Sequence, residues 1–557
     1  MLLVTRKSVF IGHIDTELVE SVEILRGPQS ALYGSDTTAG VMSFKTLSGK
    51  PGMHYKLGPE YGSLSWKKGF GAVRGGTDTW DYAVAAAYTD SDGVHDEEFY
   101  KNFSPTIKSG WHSGGVDVVF AYIYVESDFQ AAELNECYDA LISRSKHWAF
   151  QTPDPNNANE YEHHIATLNV AHVFNNALRH KAVVGWFEKD HYRRDMDDGL
   201  LGYETSPFDD FTYEGVTYNE GDRVPIYDDG TGDAYGNDHK NIMLDYNFIW
   251  ESQLPKGVAN TALFGFEYFY QEGGKWGRYG DLSSDNYNYS FYLNDQVLLL
   301  EERLVLSGGV RMDENEAFGS ETTGKLGAAY TVWGWGTTFF GNYGTSFRAP
   351  SFFNLYDATY GNENLSPETG WTVEGGIRQE FMNGRIDGDI TYWYSELDDV
   401  VVFDYTIANP ASSVGSGKYN NRDSMETSGV EFAFGVSITE AINLSGNYTY
   451  TDSKSVNDGK GFRTVQVAKN KGSLTFCYEK ERYNVGVSGY YSGTRLRWKG
   501  DIEMKAYYRV DIFGQYEFYK GMRVYTRIEN VLDEDIEEGL GYDQPGIYAI
   551  LGVKYDI

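Results

Sequence analysis

The stretch LSGNYTYTD, residues 444–452, shows the alternation on which the fold depends. In an extended chain Leu444, Tyr448 and Tyr450 lie on one face, while polar Ser, Asn and Thr side chains lie on the other. The same period of two recurs from about Tyr55 to the C-terminus, between clusters of Gly, Asn, Asp and Ser. Clear further cases are residues 389–396, 484–492, 509–518 and 548–557. The pattern predicts a long series of β-strands.

The composition agrees with strands and excludes two classes of protein. Tyr (45) and Gly (63) are abundant and Pro (13) is scarce, as in strands with Gly, Asn and Asp turns. The longest apolar runs, such as VVFAYIYV at residues 118–125, are shorter than the roughly 18 residues of a spanning helix, which excludes a helical membrane protein. The 47 basic and 81 acidic residues give a net charge of −34, so no nucleic acid is expected as a partner.

Both a water-soluble sandwich and a membrane barrel have alternating strands, and three features favour the barrel. The chain is too long for one sandwich. Aromatic pairs, Tyr490-Tyr491 and Tyr507-Tyr508, stand near strand ends, where interfacial girdles form. The last strand keeps one apolar face up to Ile557. Polar stretches without a steady period predict long loops at residues 137–162, 195–238, 405–423 and 452–469.

One segment lacks the strand rhythm: VESVEILRGPQSALYGSDTTAGVMSFKT, residues 19–46. Val22, Ile24 and Leu25 predict a short buried strand that ends in a Gly27-Pro28 turn. The segment resembles the distal part of the plug domain of TonB-dependent outer-membrane receptors. The resemblance rests on six motif residues: Leu25, Arg26, Gly27, Pro28, Tyr33 and Gly34.

Two more stretches resemble the same family. GTSFRAPSFFNLYDATYGNENLSPE, residues 344–368, followed by Val373-Glu374-Gly375, is similar to the family's FRAP box, LY pair and NPNL-P-E loop, with Glu363 where Pro is commoner. RIENVLD, residues 527–533, resembles the penultimate strand and its turn. The chain ends in Ile557, whereas members of the family usually end in Phe.

The resemblance implies an all-β fold: a 22-stranded antiparallel transmembrane β-barrel, residues 48–557, with the C-terminal remnant of a plug domain, residues 1–47, in its lumen. A complete receptor begins with a signal peptide, a TonB-contacting box and about a hundred further plug residues. We expect that the gene model starts at an internal methionine; a fragment or a degenerate copy are the alternatives.

The resemblance also implies a plug–barrel lock, in which plug arginines pair with barrel glutamates. The matching positions are Arg26 in the plug and Glu374 and Glu431 in barrel strands. A carboxylate in an enclosed lumen is less costly opposite a guanidinium, which can bind it through two parallel hydrogen bonds. In the alternative interpretation both glutamates only face lumen water.

The loop at residues 195–238 holds thirteen carboxylates and one base, Arg223. Such a loop either stays open in water or binds a hard cation such as calcium, which some cobalamin receptors of the family use. The solvated loop is favoured, and no cofactor is required. The calcium candidates are Asp195, Asp197, Asp198, Asp209, Asp210, Asp228, Asp229 and Asp233. Cys137 and Cys477 are interpreted as idle thiols rather than as a disulfide.

The function that these resemblances imply is TonB-dependent import of a scarce nutrient by a multi-pass protein of the Gram-negative outer membrane. A ferric siderophore is expected first and cobalamin second, with the TonB complex and outer-membrane lipid as partners. Haem is disfavoured because no His lies between Phe347 and Leu365, and His163-His164 is interpreted as a surface pair. No catalytic motif is present, so an enzyme is not expected. A passive channel is the alternative from another class.

Overall fold

The computed structural model describes most of the chain. The described residues are 11–94, 98–130, 157–194, 199–206, 211–213, 216–227, 234–254, 257–277, 281–412, 415–457, 460–497, 502–539 and 542–557. Within these ranges, no helix has both the length and the apolar character needed to cross a bilayer.

The N-terminal part is a small hairpin unit, here called the plug segment (residues 11–47). Two 3-10 turns, Ile11–His13 and Thr16–Leu18, lead into strand β1 (Val19–Arg26). Helix α1 (Ser30–Tyr33) follows, and β2 (Gly40–Thr46) returns antiparallel to β1.

The expectation that β1 is buried is wrong. Val22 is 48% exposed and Ile24 is 60% exposed. Within the described chain β1 pairs only with β2. The buried apolar residues of the plug segment lie outside β1, among them Leu18, Ala31 and Leu47.

Strands β3 to β33, most of them long, make up the greater part of the remaining described chain. The first seven are β3 (Gly52–Gly62), β4 (Lys67–Gly76), β5 (Trp80–Asp92), β6 (Phe99–Ser113), β7 (Val116–Gln130), β8 (Ala158–Asn175) and β9 (Leu178–Arg194). Four short strands follow in pairs: β10 (Leu200–Thr205) with β13 (Arg223–Tyr227), and β11 (Phe211–Tyr213) with β12 (Val216–Tyr218).

The middle of the chain contributes ten consecutive strands. They are β14 (Tyr235–Leu254), β15 (Val258–Gly277), β16 (Leu282–Leu299), β17 (Leu304–Asn315), β18 (Gly319–Val332), β19 (Thr337–Arg348), β20 (Glu368–Phe381), β21 (Ile386–Ala408), β22 (Ser416–Ser437) and β23 (Ile442–Asn457). Helix α2 (Phe352–Tyr356) lies between β19 and β20, where a capping box of Ser351 and Asn354 starts it.

The C-terminal strands close the barrel. They are β24 (Lys460–Arg463), β25 (Asn470–Lys480), β26 (Tyr483–Ser492), β27 (Arg495–Leu496), β28 (Glu503–Met504), β29 (Tyr507–Tyr519), β30 (Met522–Glu529), β31 (Glu537–Gly539), β32 (Tyr542–Asp543) and β33 (Tyr548–Asp556). The last strand pairs with the first barrel strand, for example Leu551 with Tyr61. The result is a closed 22-stranded antiparallel barrel, to which β24 adds only a flap on β23. The predicted fold class is confirmed.

The two faces of the barrel wall differ as the alternation predicts. On β5, Tyr82, Val84 and Tyr88 point outward and are exposed, while Ala83, Ala85 and Ala87 point inward and are buried. The inward alanines pack against Leu18 and Leu47 of the plug segment. Outside, Trp80 and Trp111 lie side by side near one end of the strands. An apolar outer face with aromatic residues at its edge is the lipid-facing surface of a membrane barrel.

The connections differ at the two ends of the barrel. At one end, here called the short-turn end, strands join through a few residues, such as 114–115 and 520–521. At the opposite, long-loop end, the connections include residues 349–367 and 530–547. All four predicted loops are in part strands. Residues 405–423 belong largely to β21 and β22, and residues 452–469 include the end of β23 and β24. Residues 195–238 include β10 to β13 and the start of β14, and β8 begins at Ala158 within residues 137–162. Beyond the lipid-facing band both faces of a strand meet water, so the period of two is lost there.

Candidate functional site

The ion pair of Arg26 links the plug segment to the barrel wall. Arg26 is the last residue of β1, and its Nη1 lies 2.5 Å from Oε2 of Glu431 on β22. Glu431 points into the lumen because its neighbours Val430 and Phe432 are exposed on the outer face. The Arg26 side chain is 76% exposed and that of Glu431 is 29% exposed, so water screens the pair. The role of this pair as a transport lock stays a prediction.

Glu374 lies beside the Gly27-Pro28 turn, which follows Arg26, but its hydrogen-bond partner is a barrel residue. Its Oε1 accepts a hydrogen bond from Nδ2 of Asn342 at 2.7 Å, across the β19–β20 pair. Its Oε2 faces Gly27, where an added Cβ would be 3.5 Å away. Among the ion pairs of the described residues, Arg26 pairs with Glu431 and not with Glu374.

The Gly27-Pro28 turn fits closely against the barrel. Gly27 has a φ of +73°, a conformation that glycine adopts without steric cost. Pro28 packs on Gly344 of β19, where a Cβ would come within 2.9 Å of the proline ring. Gly344 therefore allows the close approach of the plug segment. Leu25 precedes this turn inside β1, paired with Val41.

The residues after α1 bind the end of β19. Gly34 closes α1 with a φ of +74°, and its N–H donates to the Ser30 carbonyl. The N–H of Asp36 donates to the Phe347 carbonyl at 3.2 Å, and the N–H of Ala349 donates to Oγ of Ser35 at 3.0 Å. The plug motif and the SFRAP stretch, which are over 300 residues apart in sequence, therefore meet in one interface. Burial raises the pKa of the Tyr33 phenol in the same helix.

Helix α1 also contacts a buried arginine of the barrel wall, Arg311, which the sequence did not indicate. Arg311 on β17 is 0% exposed, and its guanidinium donates to Glu267 at 2.7 Å and to Asp313 at 3.0 Å. Its Nη1 also donates to the Leu32 carbonyl of the plug segment at 3.2 Å. A buried charge with two carboxylate partners is a fixed feature of the wall, so α1 rests on a rigid support.

A second missed contact anchors the start of the plug segment near the long-loop end. The carbonyl of His13 accepts hydrogen bonds from Nδ2 of Asn102 and Oγ of Ser104, both at 3.1 Å. The His13 ring packs among aromatic side chains, including Tyr161 and His163. The interpretation of His163-His164 as a surface pair is wrong for His163, which is 2% exposed and faces inward. His164 is on the outer face, stacked on Tyr122 and Trp186.

A third anchor joins the 3-10 turn at Thr16–Leu18 to the strands that close the barrel. Glu17 pairs with Lys56 of β3 and with Lys554 of β33, the latter at 2.8 Å. Asp15 pairs with Lys68 of β4 at 2.9 Å, and both side chains are nearly buried. Burial opposes ionisation of Glu17, but hydrogen bonds from the two lysines outweigh it and hold the pKa of Glu17 below its usual range.

Exchanging the charges of the Arg26–Glu431 pair tests its role. Glu431→Arg places two cations together, so we expect easier proteolysis of the plug segment in purified receptor, and Arg26→Glu should act in the same way. The double variant restores an ion pair and should restore resistance. An exposed pair contributes only about 0.2–1 kcal/mol, so the single variants should still fold. Additive effects in the double variant would show that the two residues do not interact.

The environment of His13 predicts a pH dependence of plug stability. Burial lowers the pKa of His13 from 6.5 to about 4. Below pH 6.5 the unfolded segment therefore binds a proton that the folded one does not, so stability present at neutral pH is lost as the pH falls towards 4. The titratable side chains that contact the His13 ring are Tyr100, Tyr161 and His163.

We expect the plug segment to become protease-sensitive between pH 7 and pH 5, and the slope to be shallower in His13→Asn. Equal slopes in both proteins would contradict this assignment. Glu17 does not interfere, because a carboxylate with a lowered pKa loses its contribution only below its ordinary value of 4.5.

Several sequence-predicted residues lie outside the described ranges. These are Cys137 and the eight calcium candidates Asp195, Asp197, Asp198, Asp209, Asp210, Asp228, Asp229 and Asp233. In the part of the chain that is described, no group of three or more His, Cys, Asp or Glu side chains is arranged to hold a metal ion. Cys477 is a free thiol whose Sγ lies 3.4 Å from Oδ1 of Asn484.

Comparison with known proteins agrees with this geometry. A family model for a TonB dependent receptor-like β-barrel matches residues 138–531, and a model for the TonB-dependent receptor plug domain matches residues 4–41.

Two curated relatives match along almost the whole chain. The vitamin B12 transporter BtuB of Photobacterium profundum is 24% identical, covering 96% of this chain and 80% of the relative. BtuB of Vibrio vulnificus is 23% identical, covering 95% and 77%. Among solved structures, the ferric-catecholate import receptor Fiu from E. coli K12 superposes with a TM-score of 0.78 at 14% identity, covering 97% of this chain and 86% of Fiu.

The barrel model covers well over half of the chain and the plug model covers the segment held in its lumen. The suspected resemblance is confirmed. Members of the family are transport proteins without enzymatic activity, as the missing catalytic motifs indicated. This chain belongs to the TonB-dependent receptors.

Proposed function

We propose that this receptor imports a corrinoid of the vitamin B12 type across the Gram-negative outer membrane, with energy supplied through TonB. One observation carries the choice of ligand: the similarity to two vitamin B12 transporters extends over 96% and 95% of the chain. The sequence alone put a ferric siderophore first. The likeness to the ferric-catecholate receptor is at 14% identity and therefore supports the fold only.

The interior of the barrel suits the import of one large polar molecule. The inner wall carries buried polar side chains, such as Asn102, Ser104 and Ser290, and the plug segment occupies part of the lumen. The plug segment is held by five separate sets of polar contacts, each of which can be broken without unpairing the strands of the wall. Movement of the plug by TonB then opens a polar path for the ligand.

Charge at the long-loop end favours a ligand that is not an anion. Residues 195–238, from the end of β9 to the first residues of β14, carry thirteen carboxylates and one base, and the whole chain has a net charge of −34. A strongly anionic ferric catecholate would be repelled by this field, whereas a corrinoid without net charge would not.

Binding and uptake of cyanocobalamin test the proposal. Purified receptor in detergent should bind cyanocobalamin, and cells that lack their own vitamin B12 receptor should take up the labelled vitamin when they express this gene together with a functional TonB. The same cells without TonB should bind the vitamin but not accumulate it. Failure of the purified receptor to bind cyanocobalamin would overturn the proposal.

A ferric siderophore is the second candidate, favoured by an aromatic cluster at the long-loop end. The Phe403 ring contacts those of Tyr360 and Tyr419, each with ring centroids 5.3 Å apart. The exposed Tyr405 and Phe353 extend the cluster into solvent. Aromatic surfaces of this kind can stack on catechol rings. Quenching of protein fluorescence by ferric siderophores, without a response to cyanocobalamin, would select this candidate.

A passive channel predicts a different result in planar bilayers. Because the plug segment is held in the lumen by its contacts with the wall, we expect little steady current through the reconstituted receptor. Large ohmic steps would favour the channel.

The acidic loop gives a further prediction. We expect residues 195–238 to stay solvated, so millimolar calcium should leave their protease sensitivity unchanged. Protection at that concentration would instead establish a calcium site among the aspartates named above.

A further inference from the structure

A cavity of about 390 Å³ lies inside the barrel at the long-loop end. It is formed by β26, β29, β30 and β33 together with the connection between β30 and β33. Its lining includes Tyr490, Tyr507, Arg509, Glu529, Gln544 and Tyr548.

The side chains of this cavity point into the lumen. Tyr490 lies on the same face of β26 as the buried Ser488 and Ser492, whereas Val485 and Val487 are exposed on the opposite face. On β29, Arg509 shares a face with the buried Asp511, and Tyr508 and Ile512 point outward. A ligand entering the lumen can therefore reach the cavity.

Arg509 is held in a fixed position with a donor to spare. Its Nη2 donates to Oδ2 of Asp511 at 2.9 Å, and Oδ1 of Asp511 accepts the backbone N–H of Asn530 at 3.0 Å. The guanidinium lies over the Tyr490 ring, 5.0 Å from its centroid. Nε of Arg509 is buried and has no hydrogen-bond partner in the described part of the protein. The Arg509 side chain as a whole is 37% exposed, so the N–H groups of its outer nitrogens can donate to a ligand in the cavity.

The wall behind the cavity is also fixed. Asn530 is buried, and its side chain donates to the carbonyl oxygens of Glu534 and Pro545 at 2.8 and 3.3 Å. The carboxylate of Glu529 pairs with Arg527 at 2.7 Å, which offsets its negative charge. The lining also includes Glu538, whose carboxylate lies 3.5 Å from the Tyr507 hydroxyl. On the side of Arg509 and Tyr490, a guanidinium stands beside tyrosine rings, a combination that suits a planar aromatic group joined to an anionic group.

We propose that this cavity binds the nucleotide end of the corrinoid, with Arg509 on its phosphodiester and the tyrosine rings against its benzimidazole base. The inference rests on the proposed function and deepens it. The volume is at the lower end of the range for ligand pockets and fits one appendage rather than the whole macrocycle. Arginine and phosphate form two parallel hydrogen bonds, and stacking on tyrosine adds to binding without requiring a charge.

The test compares two corrinoids that differ in this appendage: cyanocobalamin, which has the nucleotide, and dicyanocobinamide, which lacks it. Their affinities are measured for the purified wild-type receptor, Arg509→Gln and Tyr490→Leu. We expect Arg509→Gln to weaken cyanocobalamin binding roughly 10- to 100-fold, the loss expected for a hydrogen bond to a charged group, and to leave cobinamide binding unchanged. Tyr490→Leu should show the same selectivity with a smaller loss.

Arg463→Gln is the matched control, because Arg463 is another arginine near the long-loop end and pairs with Glu503 outside the cavity. It should bind both corrinoids as the wild type does. Heat-modifiable migration on a gel shows that each variant is folded. Equal weakening of both corrinoids, or no weakening of either, would overturn this inference while the proposed function stands. Failure of the wild type to bind either corrinoid would overturn both.

Discussion

Replacing Arg311 with methionine is expected to destabilise the receptor by about 3–5 kcal/mol, because a buried ion pair that loses one partner leaves an uncompensated charge. Arg311 is 0% exposed, and its removal would leave Glu267 and Asp313 facing each other in the barrel wall. The hydrogen bond to the Leu32 carbonyl would be lost as well. We therefore expect unfolding at a lower urea concentration and faster proteolysis of the plug segment.

Two comparisons separate the buried cluster from general effects of losing an arginine. Arg378→Met, at an exposed arginine on β20, should change the unfolding midpoint little. Adding Glu267→Gln and Asp313→Asn to Arg311→Met removes the unpaired charges and should restore most of the stability. An unfolding midpoint for Arg311→Met equal to that of the wild type would refute the assignment.

Replacing Gly40 with alanine is expected to prevent the plug hairpin from closing. Gly40 pairs with Arg26 across the two strands and has a φ of +145°. A Cβ at this position would lie 2.3 Å from the Leu25 carbonyl oxygen, and the backbone carbonyl cannot move away without breaking the pairing. Because Arg26 is part of the same pairing, its contact with Glu431 should be lost together with the hairpin.

The expected result is a plug segment that is cut rapidly by protease inside a barrel that stays folded. Gly12→Ala is the matched control within the plug segment, since a Cβ there meets no atom within 4 Å. It should be cut as slowly as the wild type. Equal resistance of Gly40→Ala and the wild type would mean that the hairpin does not have the conformation described here.

The strands were predictable because each barrel strand separates two environments. Residues 484–492 were predicted as a strand, and the structure has Tyr483–Ser492, with exposed Val485 and Val487 outside and Ser488 inside. The period of two fails where both faces meet water, as in the outer parts of β21 and β22, so these were predicted as loops. The period of two therefore indicates where one face of a strand meets lipid and the other meets the lumen. It does not indicate strands whose two faces meet the same solvent.

The contacts of the plug segment could be predicted only in part. The motif pointed to Arg26 and to two glutamates, but which glutamate it contacts depends on the register of β1 against the wall, which the sequence does not determine. The sequence did not indicate Arg311 or His13, because their contacts between plug and barrel join residues that are far apart in the chain. Arg311 and Leu32 are 279 residues apart. His163 was misassigned because adjacent residues in a strand point to opposite faces, so only one histidine of a pair in the barrel wall can lie on the outer face.

The central claim is that the plug segment lies in the lumen of an outer-membrane barrel, against the end of β19. Cross-linking of Ser35→Cys to Ala349→Cys tests it most directly, since Oγ of Ser35 lies 3.0 Å from the backbone nitrogen of Ala349. The native Cys137 and Cys477 are first replaced by serine, and isolated outer membranes are treated with a short bis-maleimide. We expect an efficient intramolecular cross-link in the outer-membrane fraction and none when Ala349 is left unchanged. A double variant that is present in the outer membrane but does not cross-link would contradict it.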